Sequence, residues 1–131
     1  MTMKEKQKLK AMVIDDSRAM RTIVGQILKG IGFEIVEAAN GREGLRLLEK
    51  IELPAIAMVD WNMPEMNGLD LVCEVRSQPK YGGMRIIMVT TETDIKRMSE
   101  AMVHGVDEYV MKPFTKEIIL RKLEQLAVSL V

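Results

Sequence analysis

The sequence predicts an α/β domain in which a parallel five-stranded sheet carries helices on both faces, and three observations predict it. Strand-length apolar runs alternate with helical patterns along the 131 residues. Several of these runs are continuous rather than alternating, as in strands buried on both faces. Four of them stop on polar residues: Asp15-Asp16 after residues 12–14, Asp60 after 55–59, Thr90 after 86–89 and Lys112 after 109–111. Strict strand–helix alternation implies right-handed crossovers and parallel strands. All those polar groups would then emerge at the carboxyl edge of one sheet, where open α/β folds build their sites.

The elements follow in order. Residues 10–14 read as the first strand. Asp15-Asp16-Ser17 leads into a helix with Met20, Ile23, Val24, Ile27, Leu28 and Ile31 on one face, closed by Gly30 and Gly32. The second strand, 33–37, is less apolar and so belongs nearer a sheet edge. Asn40-Gly41 opens a second helix that turns Leu45, Leu48 and Ile51 inward and runs until Pro54. The third strand, 55–59, is the most apolar. After Pro64 comes a helix with Leu69, Val72 and Val75 on one face. The clearest loop is 78–83, Gln-Pro-Lys-Tyr-Gly-Gly. The fourth strand spans 84–89 and the fourth helix 92–104, with Ile95, Met98, Ala101 and Met102 on its apolar side. The fifth strand is 106–111 and the fifth helix runs from Phe114 to about Leu126.

Composition narrows the function classes. Nineteen basic residues balance nineteen acidic ones, so no global field points to nucleic acid or an anionic membrane. Residues 1–8 read as a frayed, solvated tail and 9–131 as one domain. Cys73 is the single cysteine, which excludes an intrachain disulfide; its helix stripe suggests a small buried hydrophobe. With no membrane-length apolar run and no secretory signal, a cytoplasmic protein is expected. His104 reads as structural, and most of the 12 methionines as core filler, although Met98 and Met102 could face a partner. Trp61 is expected to be partly exposed beside Asp60.

The convergent residues carry chemistry. Gathering Asp15, Asp16 and Asp60 in one cleft is costly, because like charges disfavour joint ionisation. A divalent cation relieves that cost, and all-oxygen ligands with few protein contributors suit Mg²⁺. Lys112 offers a point charge for phosphoryl oxygens and Thr90 a hydroxyl donor. The set fits in-line phosphoryl transfer to Asp60 as nucleophile. Each residue has a plainer use alone: Asp16-Ser17 as a helix cap, Asp60 as a turn cap, Thr90 as a strand end, Lys112-Pro113 as a turn. Their placement at the same end of different strands is what the plainer uses leave unexplained.

Over nearly its whole length the sequence resembles the receiver domains of two-component response regulators. The motifs Val13-Ile14-Asp15-Asp16-Ser17, Asp60-Trp61-Asn62-Met63-Pro64-Glu65-Met66-Asn67-Gly68, Met88-Val89-Thr90 and Lys112-Pro113-Phe114 carry the resemblance in order. Thr90-Thr91-Glu92 and the segment Gly105 to Val110 are most similar to single-domain chemotaxis regulators of the CheY type. The resemblance implies a flavodoxin-like (βα)5 sandwich with strand order 2-1-3-4-5, an order that the resemblance alone supplies.

Residue roles follow from the same resemblance. Asp60 is expected to accept a phosphoryl group from a sensor histidine kinase. Asp16, Asp60 and the Asn62 backbone carbonyl are similar to Mg²⁺ ligands, with Asp15 acting through water. Lys112, in a cis bond to Pro113, would bind the phosphoryl group. Thr90 and Tyr109 resemble a switch pair whose motion re-forms the face of the fourth helix, fifth strand and fifth helix. Asn62 and Glu92 stand where the family tunes phosphoryl lifetime, while Thr91 adds bulk where many members carry a smaller residue. With the chain ending after the fifth helix, output is expected by non-covalent binding of a monomer to a flagellar motor switch protein or another effector, with a phosphatase among its partners. The alternative is a phosphorelay intermediate or a regulator of a different pathway. An aspartate-nucleophile phosphatase of the haloacid dehalogenase type fits less well, since Asn62 replaces the general acid. A flavodoxin-like cofactor binder is disfavoured, because Asp15-Asp16-Ser17-Arg18 is not a glycine-rich phosphate loop.

Overall fold

The computed structural model describes residues 8–91 and 95–128. Its elements are β1 Lys10–Ile14, α1 Arg18–Ile31, β2 Glu34–Ala38, α2 Gly41–Leu48, β3 Ile56–Asp60, α3 Gly68–Arg76, a 3-10 turn at Pro79–Tyr81, β4 Arg85–Thr90, α4 Ile95–Val103, β5 Glu108–Met111 and α5 Lys116–Gln125. The five strands are all parallel in the order β2-β1-β3-β4-β5, as the family resemblance implied. The less apolar β2 is an edge strand.

Side-chain alternation along the strands divides the core in two. Met12, Ile14, Ala57, Val59, Ile86 and Met88 leave one face and pack with Leu48, Leu71, Val72, Val75 and Ala101 from α2, α3 and α4. Ala11, Val13, Met58, Ile87, Val89 and Val110 leave the other and meet Val24, Leu28, Ile119 and Leu123 from α1 and α5. Because β1, β3 and β4 are covered on both sides, their sequences must be continuously apolar.

Helix starts follow from capping side chains. The Ser17 hydroxyl accepts from Met20 N, Asn40 Oδ1 from Glu43 N, Asn67 Oδ1 from Asp70 N and the Thr115 hydroxyl from Ile118 N. Gly32 at φ 129° ends α1 by donating to the Leu28 and Lys29 carbonyls.

Several sequence expectations shift. Helix α2 stops at Leu48, well short of Pro54, and Lys50 N turns back to the Leu47 carbonyl. Helix α5 starts at Lys116, since Thr115 is its cap and Pro113 follows a cis bond. Strand β5 starts at Glu108, because the Asp107 side chain is drawn into bonds with Arg76 and Ile86 N. Ile23, expected on the buried face of α1, is 52% exposed, and Cys73 is exposed on α3. The tail expected over 1–8, save Lys8, and Glu92 lie outside the described residues. Among the described residues no helix is long and apolar enough to cross a membrane.

Candidate functional site

The carboxyl edge of the sheet collects the expected residues. Asp15 follows β1, Asp60 ends β3 and Thr90 ends β4, all three buried; Lys112 follows β5. The register brings Ile14 opposite Val59, Asp60 opposite Val89 and Thr90 opposite Met111, so these strand ends are level. Asp15, Asp16 and Asp60 each place a carboxylate oxygen within 4.8 Å of the others. Lys112 Nζ lies 3.3 Å from Asp60 Oδ1 and 3.5 Å from Asp15 Oδ2.

Electrostatics at Asp60 are unbalanced. Burial, and then the neighbouring Asp15 and, less, Asp16 carboxylates, hold its carboxyl above the ordinary carboxylate range, although Lys112 pulls the other way. One ammonium therefore does not neutralise the cluster. A convergent set of hard oxygens with excess negative charge, one member exposed at Asp16, fits Mg²⁺. Asp15, Asp16 and Asp60 would surround it, leaving positions for water.

The loop from β3 to α3 is held by close backbone approach. Gly68 N donates to the Trp61 carbonyl at 2.9 Å. A side chain at Gly68 would meet the Asp60 carbonyl at 2.6 Å and Trp61 Cα at 3.0 Å, so glycine here allows α3 to start directly against the site. Trp61, expected to be partly exposed, is buried at 3%: it belongs to the first of the two cores, and the Arg97 guanidinium of α4 lies 4.8 Å from its ring centroid. Asn62 and Thr91 are exposed at the site's rim. Thr91 also lines an apolar cavity of about 400 Å³ with Met20, Ile23, Lys112, Pro113 and Phe114.

Tyr109 is half-buried and packs against the first of the two cores. It pairs with Met88, two residues before Thr90, so Thr90 and Tyr109 leave the same face of adjacent strands. Lys122 sits over the Tyr109 ring at 5.4 Å and bonds Glu108 Oε1 at 3.3 Å.

One residue near the cluster escaped the sequence reading. Arg21, in the first turn of α1, donates from Nη1 to the Asp15 carbonyl at 2.7 Å and from Nε to Glu37 Oε1 at 3.1 Å. Its partner at the site is a backbone atom, which no residue-type pattern reveals.

The fold and site together define a response regulator receiver domain, and the profile of that family matches residues 11–124. The chain belongs to this family. Within it the chain is a receiver domain of the CheY type. The Chemotaxis protein CheY homolog of Campylobacter jejuni is 45% identical over 117 residues, covering 88% of this chain and 90% of that protein. Chemotaxis protein CheY1 of Helicobacter pylori is 42% identical, over 88% of this chain and 94% of its own length. Among solved structures, chemotaxis protein CheY4 of Vibrio cholerae superposes with a TM-score of 0.84 at 34% identity, covering 91% of this chain and 98% of that one.

Proposed function

We propose that Asp60 is the phosphoacceptor of a Mg²⁺-dependent switch loaded by a sensor histidine kinase. The observation that carries this reading is Lys112 held between the buried Asp60 and Asp15, at 3.3 Å and 3.5 Å, in a three-carboxylate cluster that it does not neutralise. An Asp60 oxygen attacks the phosphorus of the donor's phosphohistidine. The P–O bond forms as the P–N bond breaks, and the electron pair stays on the leaving imidazole, which takes a proton from solvent. Lys112 and the Thr90 hydroxyl hold phosphoryl oxygens in line. Asp16, Asp60 and the Asn62 carbonyl would hold Mg²⁺, with Asp15 acting through water, and the ion would supply positive charge to the transferring group. The only chemistry the chain catalyses is on its own Asp60.

Thr90 and Tyr109 act as the switch pair, coupling the phosphoryl group to β4, β5 and α4. Exposed Met102 and Met111 offer apolar contacts on the α4–β5–α5 face to a flagellar motor switch protein, the effector that the resemblance to chemotaxis regulators implies. The pathway places the protein in the cytoplasm. Asn62, Thr91 and Glu92 set the phosphoryl lifetime, and the Asn62/Glu92 combination favours quick spontaneous decay.

Incubation with acetyl phosphate tests the reading. With Mg²⁺ the chain should gain a single phosphoryl group by intact-mass measurement and lose it within minutes of donor removal. Without Mg²⁺, or as Asp60→Asn, it should gain none. Labelling of the Asn variant to the same extent overturns Asp60 as the acceptor, and a phosphoryl group stable for hours overturns the assigned tuning.

A further inference from the structure

We propose that Arg21 is a positioning residue for the Mg²⁺ ligands, holding the β1–α1 turn so that Asp15 and Asp16 face Asp60. The inference rests on the Mg²⁺-dependent phosphoacceptor reading and adds a residue to it.

Asp15 is held at every polar atom. Its amide donates to the Ala38 carbonyl at 3.2 Å, which ties the turn to the end of β2. Its Oδ1 accepts from Ser17 N at 2.8 Å, and its Oδ2 faces Lys112 at 3.5 Å. Its carbonyl accepts from Arg21 Nη1 at 2.7 Å, a short charge-assisted bond. That carbonyl belongs to the peptide joining Asp15 to Asp16. Fixing the peptide plane fixes where the Cα of Asp16, otherwise exposed, leaves the turn, and so narrows the directions its carboxylate can take.

Arg21 can impose this because it is itself anchored. Its backbone N donates to the Ser17 carbonyl at 2.9 Å, inside α1. Its Nε is held by Glu37 on β2 at 3.1 Å, and its side chain is only 14% exposed. The guanidinium thus spans helix, edge strand and acidic turn with its planar fork. A plain helix–strand ion pair would need only Glu37. Yet the shorter of its two side-chain bonds goes to the carbonyl beside the acids.

Charge and positioning predict opposite signs, and this separates them. A guanidinium near a cation site repels the cation, so if Arg21 acted through its field alone, removing it would tighten Mg²⁺ binding. If it orients the ligands, removing it weakens binding, as loss of outer groups around metal sites does.

Isothermal titration with MgCl₂ of the wild type, Arg21→Gln and Arg21→Lys decides the matter, with thermal melts to certify folding. Arg21→Gln should bind about tenfold more weakly, at the low end of the roughly 10–100-fold typical of such supporting groups. Arg21→Lys keeps the charge but cannot serve both acceptors, and should fall about threefold below wild type. Unchanged or tighter binding by folded Arg21→Gln overturns the proposal; should that variant not fold, wild-type affinity in Arg21→Lys overturns it. A wild type that binds no Mg²⁺ would instead overturn the phosphoacceptor reading, and this inference with it.

Discussion

Asp60 concentrates the energetic tension of the molecule in one carboxyl group. Its native pKa is raised, by burial first and by Asp15 next, above the value it has in the unfolded chain. Between those two values the native state binds more protons than the unfolded state. Stability is therefore lost as pH rises through that window, and the cost is fully present above the native value. Asp60→Asn removes the charge and keeps the shape, so it should melt higher than wild type at pH 7 without Mg²⁺. The gain should vanish below the ordinary carboxylate range, where wild-type Asp60 is protonated in both states. A pH series of thermal melts checks this, and an Asn variant that melts no higher at pH 7 rejects it. At this scale the acids, Lys112 and Thr90 were legible, because each stands where an apolar run ends. Arg21, Trp61 and Cys73 were not. What decides their surroundings is an atom from a distant element, or the lack of one.

Between elements, α4 and the β3–α3 loop meet at Trp61. The indole is 3% exposed, and its Nε1 has no hydrogen-bond partner among the described residues. The ring is covered on one side by Arg97, a cation over an aromatic face. Helix α4 therefore touches the residue next to the proposed phosphoacceptor. Arg97→Ala should open the indole to solvent, shifting its emission to the red and raising its quenching by acrylamide. Unchanged emission and quenching would show that other atoms of α4 keep the ring covered. Period and punctuation made the elements themselves legible: every expected strand and helix exists, and among the described residues the ends fall within a few residues of expectation, except that α2 stops at Leu48. The errors fall where side chains compete with the backbone. Thr115 delays α5 as its cap, and Asp107 spends its carboxylate on Ile86 N at 2.7 Å and Arg76 at 2.8 Å as β5 begins. Strand order was legible only through resemblance, since alternation alone is compatible with other windings.

The molecule as a whole separates function from anchorage along its strands. All proposed chemistry lies at the carboxyl edge, while the amino edge of β4 and β5 is tied by Arg76 at the end of α3. Its guanidinium donates to the Gly105 carbonyl at 2.9 Å, Tyr81 at 3.0 Å and Met84 at 2.7 Å, and pairs with Asp107 Oδ2 at 2.8 Å. Gly105, at φ 109°, must be glycine here for two reasons: its backbone conformation, and Arg76 Cγ, which a Cβ would meet at 2.7 Å. Both ends of the Arg76–Asp107 pair are about four-fifths covered, so its loss leaves three carbonyls short of a donor and Asp107 with Ile86 N and, at 3.6 Å, Arg85. Breaking a fully buried pair costs about 3–5 kcal/mol, and partial exposure lowers the expectation for Arg76→Ala to about 2–3 kcal/mol. Strands of this length separate the two edges by roughly 15 Å, beyond a Debye length at physiological salt. Arg76→Ala should thus lower the urea midpoint strongly while folded protein keeps its Mg²⁺ affinity within about twofold, the small change expected for a screened distant charge. Arg21→Gln should show the reverse pattern, with weakened Mg²⁺ binding and a smaller loss of stability. If Arg76→Ala also weakened Mg²⁺ binding tenfold, the edges would be coupled through the sheet, and the division of labour proposed here would be wrong.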